Sequence, residues 1–141
     1  MIVPPDVNVL VAIAWPPHVH HRDAIRWFDA VADSGWATSS ATELGFVRIC
    51  MNPAVVGRGT SATVAIKMIG KLGRVGAHTF WADEVSAADF ALVGGRLQGY
   101  RQVTDAHLAL LAATHGGVVA TYDRGVSGLV DGQEVLVLEG E

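Results

Sequence analysis

The chain has 141 residues, of which 50% are hydrophobic and 17% are charged, so an intrinsically disordered protein is excluded and one domain with a buried core is expected over residues 1–141. Its formal net charge of −4 argues against binding nucleic acid through bulk positive charge. A single cysteine excludes an internal disulfide, and without a signal-peptide pattern or a long apolar run we expect a cytoplasmic protein with no membrane segment.

The first half of the chain predicts short strands alternating with helices. The candidates are a strand at 2–3, a helix at 9–14, a helix at 20–33, a strand at 36–38 and a helix from Ser40 to the stop at Asn52 and Pro53. We expect the first strand to end before Pro4 and Pro5, because proline cannot donate a hydrogen bond to a central strand. Ser40 and Glu43 have the spacing of a helix capping box.

The second half continues the same alternation. It predicts helices at 62–72, 87–93 and 104–115, and strands at 78–81, 118–121 and 135–138. Short buried strands that alternate with helices are typical of an α/β fold with a central parallel sheet flanked by helices. In such folds ligands bind beyond the carboxyl ends of the strands.

Four carboxylates follow predicted strand ends or begin predicted helices: Asp6, Glu43, Asp105 and Asp123. Each has an ordinary structural interpretation. Asp6 would cap the next helix, Glu43 would complete the capping box, Asp105 would favour the helix dipole, and Asp123 would form a turn. Together at one sheet edge they would repel one another, which makes sense if a cation lies among them. Oxygen ligands favour Mg²⁺ or Mn²⁺, which can activate water against a phosphodiester.

The three histidines at positions 18, 20 and 21 do not have the helical spacing of a zinc site. We interpret them as surface residues or as residues at the start of a helix. Cys50 lies on an apolar stripe with Phe46 and Val47, which predicts a buried thiol.

Several segments, taken in order, resemble PIN domains and in particular VapC-type toxins. They are Asp6-Val-Asn8-Val-Leu, His21-Arg-Asp-Ala24-Ile-Arg-Trp27, Glu43-Leu-Gly-Phe-Val-Arg48, Thr104-Asp105-Ala-His-Leu-Ala and Thr121-Tyr-Asp123-Arg-Gly. The resemblance extends over residues 2–138. It implies a three-layer PIN-like fold and a Mg²⁺-dependent endoribonuclease, the toxin of a type II toxin–antitoxin system. It also implies a homodimer that a VapB-type antitoxin inhibits.

The resemblance also assigns roles to residues. Asp6, Glu43, Asp105 and Asp123 match the catalytic acidic set, with Asp6, Asp105 and Asp123 as the metal ligands. Asn8 and Thr121 match the supporting polar neighbours.

Arginines supply the expected contacts to RNA phosphates, principally Arg48 and Arg124, with Arg58 and Arg101 as further candidates. The expected substrate is structured RNA, such as a tRNA or rRNA loop. Two alternatives stay open at this point: another PIN-type nuclease acting in RNA processing or on flap DNA, and a non-catalytic module that binds metal or a partner.

Overall fold

A computed structural model describes residues 1–57, 59–88 and 96–139, except for the side chain of Arg101. The helices and strands of these residues are α1 (Val7–Ala14), α2 (His21–Val31), β1 (Trp36–Ser39), α3 (Ser40–Cys50), α4 (Ala62–Leu72), β2 (His78–Trp81), α5 (Val103–His115), β3 (Val119–Thr121) and β4 (Val135–Val137). They confirm the predicted alternation. The helix predicted at 87–93 falls mostly on residues outside the described ranges.

The strands form two parallel pairs that a central segment joins. Strand β1 pairs with β2, and β3 pairs with β4. Between the two pairs lies the segment 3–5, in which Val3 bridges Trp36 of β1 and Pro5 bridges Ala120 of β3, both in the parallel sense. The order across the sheet is therefore β2, β1, the central segment, β3 and β4.

The two prolines lie inside this central segment, so the predicted end of the first strand is wrong. Pairing continues to Asp6: the Ala120 N–H donates to the Pro4 carbonyl at 3.0 Å, and the Asp6 N–H donates to the Ala120 carbonyl at 2.9 Å. A proline loses its N–H donor but keeps its carbonyl acceptor, and the non-proline residues on either side supply the remaining donors. Asp6 is consequently placed at the carboxyl end of the middle of the sheet.

Helices cover both faces of the sheet, which confirms the three-layer α/β arrangement. In one core the helices α1, α2, α3 and α4 pack against Trp36, with Leu10, Phe28 and Phe46 among the buried side chains. The opposite core lies between α5 and the residues Ala37, Trp81 and Val119. Trp36 and Ala37 are neighbours on β1 and point to opposite cores, as alternation along a strand requires.

Two further expectations concern the buried cysteine and the membrane. Cys50 is fully buried, as predicted, and its Sγ accepts a hydrogen bond from Trp15 Nε1 at 3.0 Å. Among the helices of the described residues, none has the length and apolar character needed to cross a bilayer.

Candidate active site

Asp6 combines the structural role predicted for it with a contact across the sheet. It is the N-cap of α1, and its Oδ1 accepts a hydrogen bond from the Val9 N–H at 2.9 Å. Its Oδ2 accepts a hydrogen bond from the Thr121 hydroxyl at the end of β3. With 3% of its surface exposed, this carboxylate is held on both oxygens in a dry environment.

The surroundings of Asp6 act on its ionisation in opposite directions. Burial raises its pKa above the ordinary value of 3.8, while the hydrogen bonds from Thr121 and Val9 oppose the rise. The charge of Asp123 raises the pKa further, and the backbone N–H of Asn8 lowers it. The predicted support from Asn8 therefore reaches Asp6 through the backbone, and the side chain of Asn8 is exposed.

Thr121 connects Asp6 to Asp123. Its hydroxyl oxygen, which donates to Asp6, also accepts a hydrogen bond from the Asp123 N–H at 2.9 Å. Asp123 is exposed and its Oδ1 accepts from the Gly125 N–H at 2.8 Å, which confirms the turn predicted there. Its other carboxylate oxygen has no hydrogen bond within the described ranges, so Asp123 retains the capacity to accept a ligand.

Asp105 lies in the first turn of α5, as predicted, and is half-buried. Its carboxylate makes no hydrogen bond or ion pair with any residue that the structure describes. Burial raises its pKa to about 7, and the charges of Asp6 and Asp123 add to the increase. The three aspartates are therefore close enough to oppose one another's ionisation, and we call them the aspartate cluster.

The aspartate cluster is not a preformed cage. Among the described residues, no three histidine, cysteine, aspartate or glutamate side chains converge closely enough to form a metal site. The histidines at positions 18, 20 and 21 are among the residues to which this statement applies. The aspartates share a neighbourhood, whereas direct ligation of one ion would require them to approach further.

The capping box predicted for Glu43 is wrong by one residue. The N-cap of α3 is Ser39, whose hydroxyl accepts from the Thr42 N–H, while Thr42 Oγ1 accepts from the Ser39 N–H at 3.0 Å. Glu43 is thereby free of the cap, and its Oε2 accepts a hydrogen bond from Thr38 Oγ1 at 2.6 Å. The sequence reading missed this threonine.

Glu43 lies on the other side of the central segment from β3. Its charge is not among those that shift the pKa of Asp6 or Asp105. Helices α1 and α3 both begin at this edge of the sheet and are closely packed. A Cβ added to Gly45 of α3 would lie 2.8 Å from the side chain of Val7 of α1. The acidic set therefore has two parts, the aspartate cluster beside β3 and Glu43 beside β1.

The arginines lie on the surface where they can be described. Arg48 is exposed in the last turn of α3. Arg124 has 83% of its side chain exposed, and its Nη2 lies 3.9 Å from Glu139 Oε1. Arg58 and the side chain of Arg101 are outside the described residues.

Tyr122 is a site neighbour that the sequence reading missed. Its hydroxyl donates to Asp23 Oδ2 at 2.7 Å, and its ring stacks on His20 with 4.3 Å between centroids. Burial raises the pKa of Tyr122, and the hydrogen bond and charge of Asp23 add to the effect. These contacts fix the residue between Thr121 and Asp123 to the start of α2. The hydrogen bond joins positions 99 residues apart, so no local pattern signals it.

The chain is similar to known proteins over most of its length. No protein-family model matches the chain. The chain is 44% identical over 123 residues to Ribonuclease VapC39 of Mycobacterium tuberculosis, covering 84% of this chain and 86% of that protein. It is 46% identical over 121 residues to Ribonuclease VapC38, covering 86% and 84%. With Ribonuclease VapC29 it shares 39% identity over 132 residues, covering 94% and 93%. Both of these relatives are also from M. tuberculosis.

Proposed function

This chain belongs to the VapC family of PIN-domain ribonucleases, and on that premise we propose that it is the endoribonuclease toxin of a type II toxin–antitoxin system. We propose further that it hydrolyses phosphodiester bonds of structured RNA, a tRNA or an rRNA, with Mg²⁺ as its cofactor. The observation that carries the proposal is Asp105: a half-buried carboxylate without a hydrogen-bond partner in the described residues, opposed by the charges of Asp6 and Asp123.

The donor set of the aspartate cluster fits a hard divalent cation. All its ligand atoms are carboxylate oxygens, which Mg²⁺ and Mn²⁺ prefer. Each oxygen of Asp6 has one hydrogen bond and keeps a lone pair, while Asp105 has no competing partner. Burial is the main cause of the raised pKa of Asp105, and the charges of Asp6 and Asp123 add to it; a bound cation would oppose all three effects. We assign Asp6, Asp105 and Asp123 as the residues that hold Mg²⁺, with Mn²⁺ as a substitute.

Bound Mg²⁺ supplies acidification of water and stabilisation of charge on the phosphate. The residues of the chain position the groups that take part in the reaction. Thr121 holds Asp6 and the backbone of Asp123 together. Glu43 is anchored through Oε2, which leaves Oε1 to take a proton from the attacking water. Arg48 and Arg124 are exposed and would bind backbone phosphates of the RNA.

The proposal includes protein partners. A VapB-type antitoxin would inhibit the enzyme, and a second copy of the chain would form a homodimer. The helices α3 and α4 offer apolar surface for such contacts, because Leu44 is 70% exposed and Ile66 is 56% exposed.

Cleavage assays on purified protein test the proposal. The wild type should cut tRNA or rRNA with Mg²⁺ and stop when EDTA is added, and Asp6→Asn and Asp105→Asn should each lose at least about 100-fold in rate. Asp29→Asn is the matched control, because it makes the same chemical change at an exposed position on α2 and should cut normally.

Three results would contradict parts of the proposal. Cutting that survives EDTA or Asp6→Asn would remove the metal assignment. Preferential cutting of flap DNA would indicate a different PIN-type nuclease. Binding of Mg²⁺ or RNA without any cutting would indicate a non-catalytic module.

A further inference from the structure

A line of hydrogen bonds leads from Glu43 away from the aspartate cluster. Glu43 Oε2 is 2.6 Å from Thr38 Oγ1, and Thr38 Oγ1 is 2.8 Å from His78 Nε2. Thr38 is 1% exposed on β1, and His78 is half-buried at the start of β2. Trp36 is paired with His78 in the register of β1 and β2, so Thr38 lies two residues further along the neighbouring strand, on the same face.

The chemistry of the three groups gives this line a direction. A hydroxyl has one proton to donate, and an ionised carboxylate can only accept. Thr38 therefore donates to Glu43 and must accept from His78, which requires the proton of the imidazole to be on Nε2. With the proton on Nδ1, His78 Nε2 and the Glu43 carboxylate would both be acceptors. The single hydroxyl proton of Thr38 could then satisfy only one of them.

The ring of His78 is held in place independently of this hydrogen bond. Its centroid lies 4.5 Å from that of Trp36 at an interplanar angle of 52°. On the other side its Nδ1 faces Gly73 at the end of α4, where a Cβ would be 3.5 Å away. Burial lowers the pKa of His78 while the charge of Glu43 opposes the change. The imidazole is therefore a fixed donor and not a mobile surface group.

We propose that His78 is a positioning residue for the ribonuclease reaction, acting on Glu43 through the hydroxyl of Thr38. The Nε2–H of His78 fixes the direction of the Thr38 hydroxyl, which in turn engages Oε2 of Glu43 and leaves Oε1 turned to the reaction. This role requires no contact between the RNA and either Thr38 or His78. This inference rests on the proposed function, because it assigns a role within the same site.

Paired variants separate the hydrogen bond from the shape of the side chain. His78→Phe keeps a ring against Trp36 and loses the donor, whereas His78→Gln supplies an amide donor near the position of Nε2. Thr38→Val removes the hydroxyl at nearly constant volume, and Thr38→Ser retains it. We expect His78→Phe and Thr38→Val to lower kcat by about tenfold or more with KM unchanged, and the Gln and Ser variants to recover most of the rate.

A double-mutant cycle with Glu43→Ala then tests whether the effect passes through Glu43. In that background, His78→Phe and Thr38→Val should cause no further loss of kcat. Losses that add to that of Glu43→Ala would overturn the proposal, as would an equal loss in His78→Phe and His78→Gln.

The tautomer of His78 gives a readout that does not need activity. Nitrogen-15 spectra of the imidazole should show the proton on Nε2 in the wild type, and the Nε2 signal should shift in Thr38→Val. A proton on Nδ1 in the wild type would overturn the proposal even if the protein cleaves RNA. A wild type that shows the Nε2 proton and cleaves no RNA would instead overturn the proposed function, and with it the role given to Glu43.

Discussion

Replacing Thr121 by valine tests whether the hydroxyl at the end of β3 holds the site together. Thr121 is fully buried, and valine has nearly the same shape, so the main effect of the substitution is loss of the hydroxyl. It removes one donor and one acceptor. The carboxylate of Asp6 loses the hydrogen bond on Oδ2, and the Asp123 N–H loses its acceptor. The perturbation is therefore confined to two hydrogen bonds.

The expected magnitude follows from the charge of each partner. A hydrogen bond to a charged group contributes about 1.5–3 kcal/mol, and a neutral one contributes about 1 kcal/mol. Asp6 is 3% exposed, so water cannot replace the lost donor, whereas Asp123 is exposed and its N–H can be hydrated. We expect the free energy of unfolding to fall by about 2–3 kcal/mol at pH 8. At pH 4 the loss should be smaller, because the raised pKa of Asp6 leaves more of this carboxyl protonated and a protonated carboxyl makes only a neutral hydrogen bond.

Urea unfolding in EDTA at the two pH values measures these quantities. Thr121→Ser is the control, because serine keeps the hydroxyl and should retain most of the stability. The reasoning fails if the valine variant is within about 0.5 kcal/mol of the serine variant at pH 8. It also fails if the loss at pH 4 equals the loss at pH 8.

Three further predictions follow from the same site. Because the pKa of Asp6 and of Asp105 is raised above 3.8, to about 7 for Asp105, the folded chain holds more protons than the unfolded chain between these values. The Tm of the metal-free protein should therefore fall as pH rises through this window, and Mg²⁺ at pH 8 should restore the Tm. Asp105→Asn should raise the free energy of unfolding of the metal-free protein at pH 8 by about 1 kcal/mol, a value reduced for solvent screening, while abolishing cleavage. A lower stability would contradict this. Arg124→Ala should change stability by less than about 0.5 kcal/mol and weaken RNA binding in a filter assay, because the side chain is 83% exposed; unchanged RNA affinity would remove Arg124 from the interface.

Local patterns were sufficient for most of the fold. The spacing of apolar residues predicts α2 and α4, and short apolar runs predict the strands around Trp36 and Val119. Each of these patterns spans only a few neighbouring residues. The sequence predicts too short a first strand, because the missing N–H of a proline does not prevent its carbonyl from pairing. The carbonyl of Pro4 still accepts from Ala120, and this pairing depends on a strand more than a hundred residues away.

The candidate site divides in the same way. The sequence predicts Asp6, Glu43, Asp105 and Asp123 as one acidic set, and the structure places the charges of the three aspartates within range of one another while Glu43 contacts β1. The alternative interpretation of Glu43 as part of a capping box fails, because the spacing of Ser39 and Thr42 competes with that of Ser40 and Glu43. The end of β1 at Ser39 decides between them, and a strand end set by pairing with β2 is not readable from the local sequence.

The amides of Ala37 and Ala120 donate into the central segment from opposite sides, to the carbonyls of Val3 and Pro4. Both protons lose their acceptors when that segment leaves the sheet, and the same departure separates Asp6 from Thr121. The rate of exchange at these two amides therefore measures how often the sheet opens and moves Asp6 away from the rest of the aspartate cluster. An ion that clamps Asp6 in place should slow both protons by the same factor.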